Sequence, residues 1–213
     1  MSVMLNIALP KGRLGDEALR LLARAGFAEE GEGADDRVLI FENAAGDIRF
    51  FWAKPSDVAI YVERGAADIG IVGKDCLVER RPDVYELMDT GLGACRMCVA
   101  AKAGWQDSGR NTLRVATKYV NTARAYYESV GRDIDVIKLS GSIEIAPVID
   151  LSDVIVDIVQ TGRTLAENGL EVVETIFDIS ARIIANKANY MFKQDRIAEV
   201  LEKLSEQLAA QAG

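Results

Sequence analysis

The chain has 213 residues, with 25 Lys and Arg against 33 Asp and Glu, a formal net charge of −8 and an apolar fraction of 49%. That composition excludes a mainly disordered chain, and its acidic balance disfavours a nucleic-acid binder, because the overall field repels phosphate backbones. The chain contains no histidine, which excludes a Ser-His-Asp or Cys-His pair, an imidazole proton shuttle and a His-ligated zinc.

Strand and helix patterns alternate almost throughout. Leu5–Leu9 is an apolar run ending in Pro10-Lys11-Gly12, so it reads as a strand followed by a turn. Leu14, Ala18, Leu21, Leu22 and Ala25 then recur at helical spacing, and Gly26 ends that helix. Val38–Phe41 and Ile48–Ala53 read as strands joined by the turn Asn43-Ala44-Ala45-Gly46. Ser56 is expected to cap a helix over Asp57–Arg64 that closes at Gly65, and Ile69–Val72 to form a short buried strand before Gly73-Lys74-Asp75. Further strands are predicted at Cys98–Ala101, Arg114–Ala116, Asp135–Leu139, Val154–Val159 and Glu171–Ile179, with a helix at Asn121–Val130. The tail, Gln194–Ala210, is an amphipathic helix with Ile197, Val200, Leu201, Leu204 and Leu208 on one face. These alternations predict two α/β lobes with a crossover near residues 90–95 and a ligand in the cleft between them, beside strand C-termini.

Cys76, Cys95 and Cys98 are the three cysteines. A lone C-x-x-C in an apolar run reads as buried thiols rather than a metal or redox site, and free thiols suit a reducing cytoplasm. Met1–Arg13 has no charged region ahead of its apolar stretch, so it does not read as a signal peptide, and no apolar run approaches a membrane span. Gly73-Lys74 does not make a P-loop, because Asp75 stands where Ser or Thr is required. Gly91-Leu92-Gly93 lacks the third glycine of a dinucleotide fingerprint and reads as a crossing between lobes.

The richest chemistry lies in Asp153 to Thr164. On a strand, Asp153 and Asp157 project to the same face, and carboxylates beside a buried strand need a polar partner such as sugar hydroxyls or a magnesium ion. Gln160 follows, then Thr161-Gly162-Arg163-Thr164 leading into a short helical stretch. Backbone N–H groups, two hydroxyls and a helix start aimed at one spot make a phosphate cradle.

This arrangement resembles the phosphoribosyl-diphosphate (PRPP) motif of phosphoribosyltransferases. Leu9-Pro10-Lys11-Gly12-Arg13-Leu14, Ser56-Asp57-Val58, the run Gly65 to Asp75 and Gly141-Ser142-Ile143-Glu144-Ile145-Ala146-Pro147 together resemble ATP phosphoribosyltransferase, from about Leu5 to Asn189. The resemblance implies two α/β lobes of the periplasmic-binding-protein type II fold with a central cleft. One lobe is formed by residues 1–92 plus 182–213 and the other, which binds PRPP, by 93–181. It implies that ATP and PRPP condense at adenine N1, with loss of pyrophosphate, as the first step of histidine biosynthesis. It places PRPP on Glu144, Asp153, Asp157, Gln160, Thr161, Gly162, Arg163 and Thr164. ATP falls to Lys11, Gly12, Arg13, Gly73, Lys74 and Asp75, with Lys11, Arg13 and Arg37 as catalytic cations. Lys54 occupies a position often held by arginine. Mg²⁺ is expected through the substrate phosphates. The chain length matches the short form of the family, which implies a homodimer and a hetero-oligomer with a regulatory subunit similar to histidyl-tRNA synthetase. The rival reading is a non-catalytic two-lobed solute-binding protein. It needs no acidic strand feeding a Thr-Gly-Arg-Thr loop and normally carries an export signal.

Overall fold

The computed structural model describes residues 4–29, 38–109 and 111–212. It divides into two compact units: Met1–Leu77 with Arg81–Gly93 and Ser180–Gly213, and Val78–Arg80 with Ala94–Ile179.

The first unit contains β1 (Leu5–Pro10), α1 (Arg13–Arg24), β2 (Ile40–Glu42), β3 (Ile48–Ala53), α2 (Val58–Glu63), β4 (Ile69–Gly73), the start of α3 (Lys74–Arg80), β5 (Tyr85–Asp89), β11 (Ala181–Ala185) and α7 (Lys187–Ala212). Among the described residues its sheet has six strands in the order β2-β3-β1-β4-β11-β5. Strand β1 runs parallel to both β3 and β4. It is buried on both faces, as a central parallel strand must be. Leu5, Ile7 and Leu9 pack with α1 residues Leu21 and Leu22 and with Ile197, Val200 and Leu204 of α7. Ala8 points the other way, into a cluster with Val58 and Val62 of α2.

Two glycines permit this layering. At Gly15 in α1 a Cβ would lie 1.7 Å from the Pro10 carbonyl oxygen and 2.7 Å from the Trp52 ring, so only a bare backbone lets α1 approach β1. At Gly70 in β4 a Cβ would lie 2.7 Å from Val62. Helix α2 starts one residue later than expected. The Ser56 hydroxyl donates to the Asp57 carboxylate at 2.8 Å instead of capping the helix.

The tail helix begins earlier than its apolar stripe indicates. Asn186 accepts from the Asn189 N–H at 2.8 Å and donates to the Val62 carbonyl at 2.9 Å, so it caps α7 and ties it to α2. A non-helical residue, Lys193, then breaks the helix. Its ammonium donates to the Met4 carbonyl and to Asp68, both at 2.7 Å. Asp68 is 1% exposed and also accepts from the backbone and side chain of Asn6 and from Asn189. A buried carboxylate needs this many partners to be tolerated.

The second unit holds β6 (Cys95–Lys102), β7 (Leu113–Thr117), α4 (Val120–Ser129), β8 (Ile134–Lys138), α5 (Ile145–Val148), β9 (Val154–Val159), α6 (Arg163–Glu167) and β10 (Leu170–Ile179). Its sheet order is β10-β6-β9-β7-β8 among the described residues. β7 is parallel to β8 and β9, whereas β6 is antiparallel to β9 and β10. Helix α4 covers one face through Ala123 and Tyr127; α5 and α6 cover the other through Ala146 and Leu165. Cys95 and Cys98 are three residues apart on β6 and so belong to opposite faces. All three cysteines are free thiols.

Asp153, just ahead of β9, is held by a two-pronged contact from Arg114, with Nη2 at 2.6 Å and Nε at 3.2 Å. The same Asp153 also accepts from the Arg114 backbone N–H at 2.9 Å. These bonds pin β9 to β7 at the N-terminal end of the pair.

Two expectations follow. Gly15→Ala forces the Pro10 carbonyl and α1 apart and costs about 1–3 kcal/mol or more by overpacking, read in chemical denaturation. The hydrogen bond from Arg114 holds the Asp153 carboxyl below its ordinary value of 3.8, outweighing the opposing effect of burial. Its stabilisation is therefore present above that value and is lost as pH falls through and below it. Asp153→Asn lowers Tm by about 2–4 °C at neutral pH, as one modest interaction does in a chain of this size. That difference from the parent protein shrinks in acid melts near pH 3.

Candidate active site

In the second unit, β7 and β9 lie side by side and parallel. The chain leaves β7 toward β8 on one side and leaves β9 toward β10 on the other. Such a switch point opens a crevice at the strand C-termini. A pocket of about 240 Å³ lies at the end of β9 and is lined by Glu144, Asp157 and the whole loop Gln160-Thr161-Gly162-Arg163-Thr164. The loop is clamped at both ends by core residues, Val159 at 4% and Leu165 at 6% exposed. Gly162 sits at φ 75° in the left-handed region, where a Cβ is strained. Thr161 Oγ1 accepts from the Arg163 N–H at 3.4 Å, and the Gly162 carbonyl accepts from the Ala166 N–H at 3.0 Å. Helix α6 spans five residues, so the cradle consists of loop N–H groups and hydroxyls, with little of the helix field expected from the sequence.

Glu144 reaches the pocket because its neighbour Ile143, 1% exposed, is buried in the same cluster as Ile155 of β9. Asp157 Oδ1 accepts from the Ile158 N–H at 2.8 Å and lies 4.0 Å from the Lys118 ammonium. Lys118 follows β7, whose register sets Thr117 against Val156, so Lys118 stands beside Asp157. Sequence reasoning did not select Lys118; only the strand register reveals it. Arg163 is swung away from the loop, paired with Glu167 at 2.7 Å and 83% exposed at its side chain.

Asp153 stands apart from this pocket. It belongs with Asp157 by face but not by place. Four residues of strand separate the two by roughly 13 Å, and Asp153 is committed to Arg114 rather than to the pocket.

The first unit repeats the arrangement at its own switch point, between β1 and β4. Lys11, Gly12 and Arg13 follow β1, and Gly73, Lys74 and Asp75 follow β4. The register Ile7↔Ile69 and Ala8↔Gly70 places both turns at one edge of the sheet. Lys54, following β3, joins them there, since Pro10 pairs with Ala53 and the Lys11 N–H donates to the Ala53 carbonyl at 2.8 Å. Gly12 has φ 90° and its carbonyl accepts from the N–H groups of Gly15 and Asp16, so it opens α1. Arg13 projects outward, 65% exposed at its side chain and 3.8 Å from Glu17. Lys74 is bonded to Glu86 at 2.6 Å. Asp75 is buried and folds back over Gly73, where a Cβ would stand 2.2 Å from its oxygen. Arg37 lies outside the described residues.

Known proteins similar to this chain identify its family. The family model described as ATP phosphoribosyltransferase matches residues 54–206. A curated ATP phosphoribosyltransferase from Brachyspira hyodysenteriae is 52% identical over 206 residues, covering 96% of this chain and 100% of the relative. One from Caldanaerobacter subterraneus subsp. tengcongensis is 47% identical over 203 residues, covering 95% and 97%. The solved ATP phosphoribosyl transferase (HisG:HisZ) complex from Thermotoga maritima contains a chain that is 36% identical, with a TM-score of 0.85 and coverage of 99% and 100%. With half of its residues shared across nearly full length and the same fold, the chain belongs to the ATP phosphoribosyltransferase family.

Proposed function

We propose that the pocket at the end of β9 is where this ATP phosphoribosyltransferase holds PRPP, and that the turns after β1 and β4 receive ATP. The reaction joins adenine N1 of ATP to C1 of the ribose and releases pyrophosphate, the first step of histidine biosynthesis. The observation that carries the reading is the convergence of Glu144, Asp157 and residues 160–164 on one pocket. The carboxylates face the ribose hydroxyls. The loop N–H groups, Thr161 and Thr164 surround the 5′-phosphate. Lys11 and Arg13, at the start of a twelve-residue helix, offer charge to the triphosphate or the departing pyrophosphate, aided by the helix N-terminus.

Magnesium fits this donor set without a dedicated cage. Among the described residues, no three His, Cys, Asp or Glu side chains converge as a metal site. Asp157 and Glu144 are hard oxygen donors in one pocket, and Mg²⁺ usually takes one or two carboxylates and fills its remaining positions with water and substrate phosphates. When bound, the ion supplies positive charge to the diphosphate.

The complex solved for the Thermotoga maritima relative supports assembly of this chain with a HisZ-type regulatory subunit, similar to histidyl-tRNA synthetase. A homodimer is part of the same proposal. The biosynthetic role and the three free thiols support a cytoplasmic site of action. Among the described residues, no helix is long and apolar enough to cross a membrane.

Incubation with ATP, PRPP and Mg²⁺, with and without a regulatory subunit, should produce the near-ultraviolet absorbance of the N1-ribosylated adenine. Its absence under both conditions refutes the reading. Arg13→Ala should lower kcat about 10²–10³-fold, the range for removing one group that stabilises developing charge, with unchanged circular dichroism. Wild-type turnover would remove Arg13 from catalysis. Thr161→Val combined with Thr164→Val should raise the Kd of PRPP about tenfold or more and leave that of ATP within about twofold. Calorimetry showing equal losses for both ligands contradicts the loop assignment.

A further inference from the structure

Two carboxylates, Glu144 and Asp157, line a pocket assigned to a polyanion. Such a pocket needs a cation close by, and the loop's own Arg163 is turned to solvent and paired with Glu167. Lys118 is differently placed. Its ammonium is 4.0 Å from Asp157 Oδ1 and 4.8 Å from the centroid of the Tyr119 ring. Both distances permit attraction, yet neither is a direct charged hydrogen bond, which spans about 2.7–2.9 Å. By contrast, Lys74 and Lys102 sit 2.6 Å from Glu86 and Asp150. The three donors of the Lys118 ammonium therefore make no hydrogen bond among the described residues. Its side chain is 44% exposed, against 18% for Asp157.

The backbone that carries Lys118 is rigid. Thr117 is fully buried, and its Oγ1 donates to the Val156 carbonyl at 2.6 Å while accepting from the Tyr119 N–H at 2.8 Å. One hydroxyl thus fastens the β7–α4 turn to the strand that bears Asp157. Lysine pairs elsewhere in the described residues close to hydrogen-bond distance, as Lys74 does with Glu86 and Lys102 with Asp150. This one is held open beside a pocket, by a locked turn, with its donors unspent.

We propose that Lys118 is a PRPP-binding residue, donating to phosphate oxygens of the bound substrate while its charge keeps Asp157 compatible with that anion. The inference rests on the assignment of the β9 pocket to PRPP. The ammonium lies between Asp157 and the Tyr119 ring. With substrate bound, it bridges carboxylate and phosphate.

The test is calorimetry of PRPP, with Mg²⁺ present, and of ATP on the full-length protein, comparing Lys118→Met, Lys118→Arg and the Thr161→Val, Thr164→Val double variant. Lys118→Met should raise the Kd of PRPP about 10–100-fold, the loss expected for a charge-assisted contact, and change that of ATP less than about twofold. Lys118→Arg should recover most of the loss. A normal PRPP Kd in Lys118→Met beside a weakened double variant overturns the role of Lys118 and leaves the pocket standing. Normal binding in both removes the pocket assignment and this proposal with it. Equal weakening of PRPP and ATP, with a lowered Tm, also overturns it, because Lys118 would then only support the fold.

Discussion

Parallel neighbouring strands whose outgoing connections part in opposite directions leave their C-terminal ends facing an open crevice. Both sheets of this chain are organised around one such pair, β1 with β4 and β7 with β9. The loops beyond such strand ends gather backbone N–H groups and polar side chains in one place, where an anion can be met. Three of the four turns carry a glycine at the point of closest approach: Gly12, Gly73 and Gly162. Gly12 and Gly162 occupy left-handed φ that a side chain would strain, and Gly73 makes room for the folded-back Asp75. The fourth turn, after β7, uses a buried threonine instead, with Thr117 bonded to both the neighbouring strand and its own turn. The apolar faces that make the strands parallel and buried are thus the cause of the polar ends that do chemistry.

The net charge of −8 makes the placement of cations decisive. Many are consumed by ordinary ion pairs. Arg49 meets Glu42, Arg114 meets Asp153, Arg132 meets Asp107, Lys193 meets Asp68 and Arg196 meets Asp47. The exposed ones, such as Arg49 with Glu42, contribute little to stability, but every pair, the buried Lys193 with Asp68 included, withdraws a charge from the field available to a ligand. Lys11 and Lys54 differ. They sit at the common edge of β1 and β3, and neither makes an ion pair or side-chain hydrogen bond among the described residues. Lys118 is the equivalent in the other unit, near a carboxylate without being bound to it. An acidic chain can bind polyanions if a few cations at strand ends are kept from their natural partners. Here strand register, rather than overall composition, does that.

Much of this was legible in the sequence, and what was missed was missed for geometric reasons. Strand β9 has the predicted boundaries, Val154–Val159, because a continuous apolar run bracketed by charged and glycine-containing turns admits few alternatives. The convergence of residues 160–164 on one pocket was readable because a polar, glycine-containing run directly after a buried strand marks a loop at the strand end. Asp153 was grouped with Asp157 because period-two alternation reports which face a side chain occupies, and nothing about which end of the strand it stands at. Its partner Arg114 is 39 residues away in the chain and can be found only through pairing of β7 with β9. Lys118 was hidden for the same reason. Gly15 looked like one more helical residue, although its missing Cβ sets the distance of α1 from β1. The first turn of α7 escaped because it is fixed by Asn186 and by the buried Asp68, whose partners come from β1 and from α7 itself, far apart in the chain.

The chemistry asks less of the side chains than most group transfers do. Adenine N1 already carries the lone pair that attacks ribose C1, so no base is needed to create the nucleophile, and pyrophosphate is a leaving group that charge alone can stabilise. A chain without histidine is therefore not handicapped. Burial pushes the phenols of Tyr126 and Tyr127 up, beyond the range where either ionises near neutrality. Cys95 and Cys98 lie on opposite faces of β6 and Cys76 lies within α3, and none lines the β9 pocket. On the proposed assignment, what remains is positioning: a sugar held by carboxylates and a loop of N–H groups, and phosphates held by lysine, arginine and a helix start. Aligning two bound reactants can supply about 7–11 kcal/mol of a barrier, and fixed dipoles and cations aimed at developing charge supply several more. Both contributions depend on the rigidity of the strand ends, which is why buried residues such as Thr117, Val159 and Leu165, none of which needs to touch a substrate, belong to the catalytic argument as fully as the charges do.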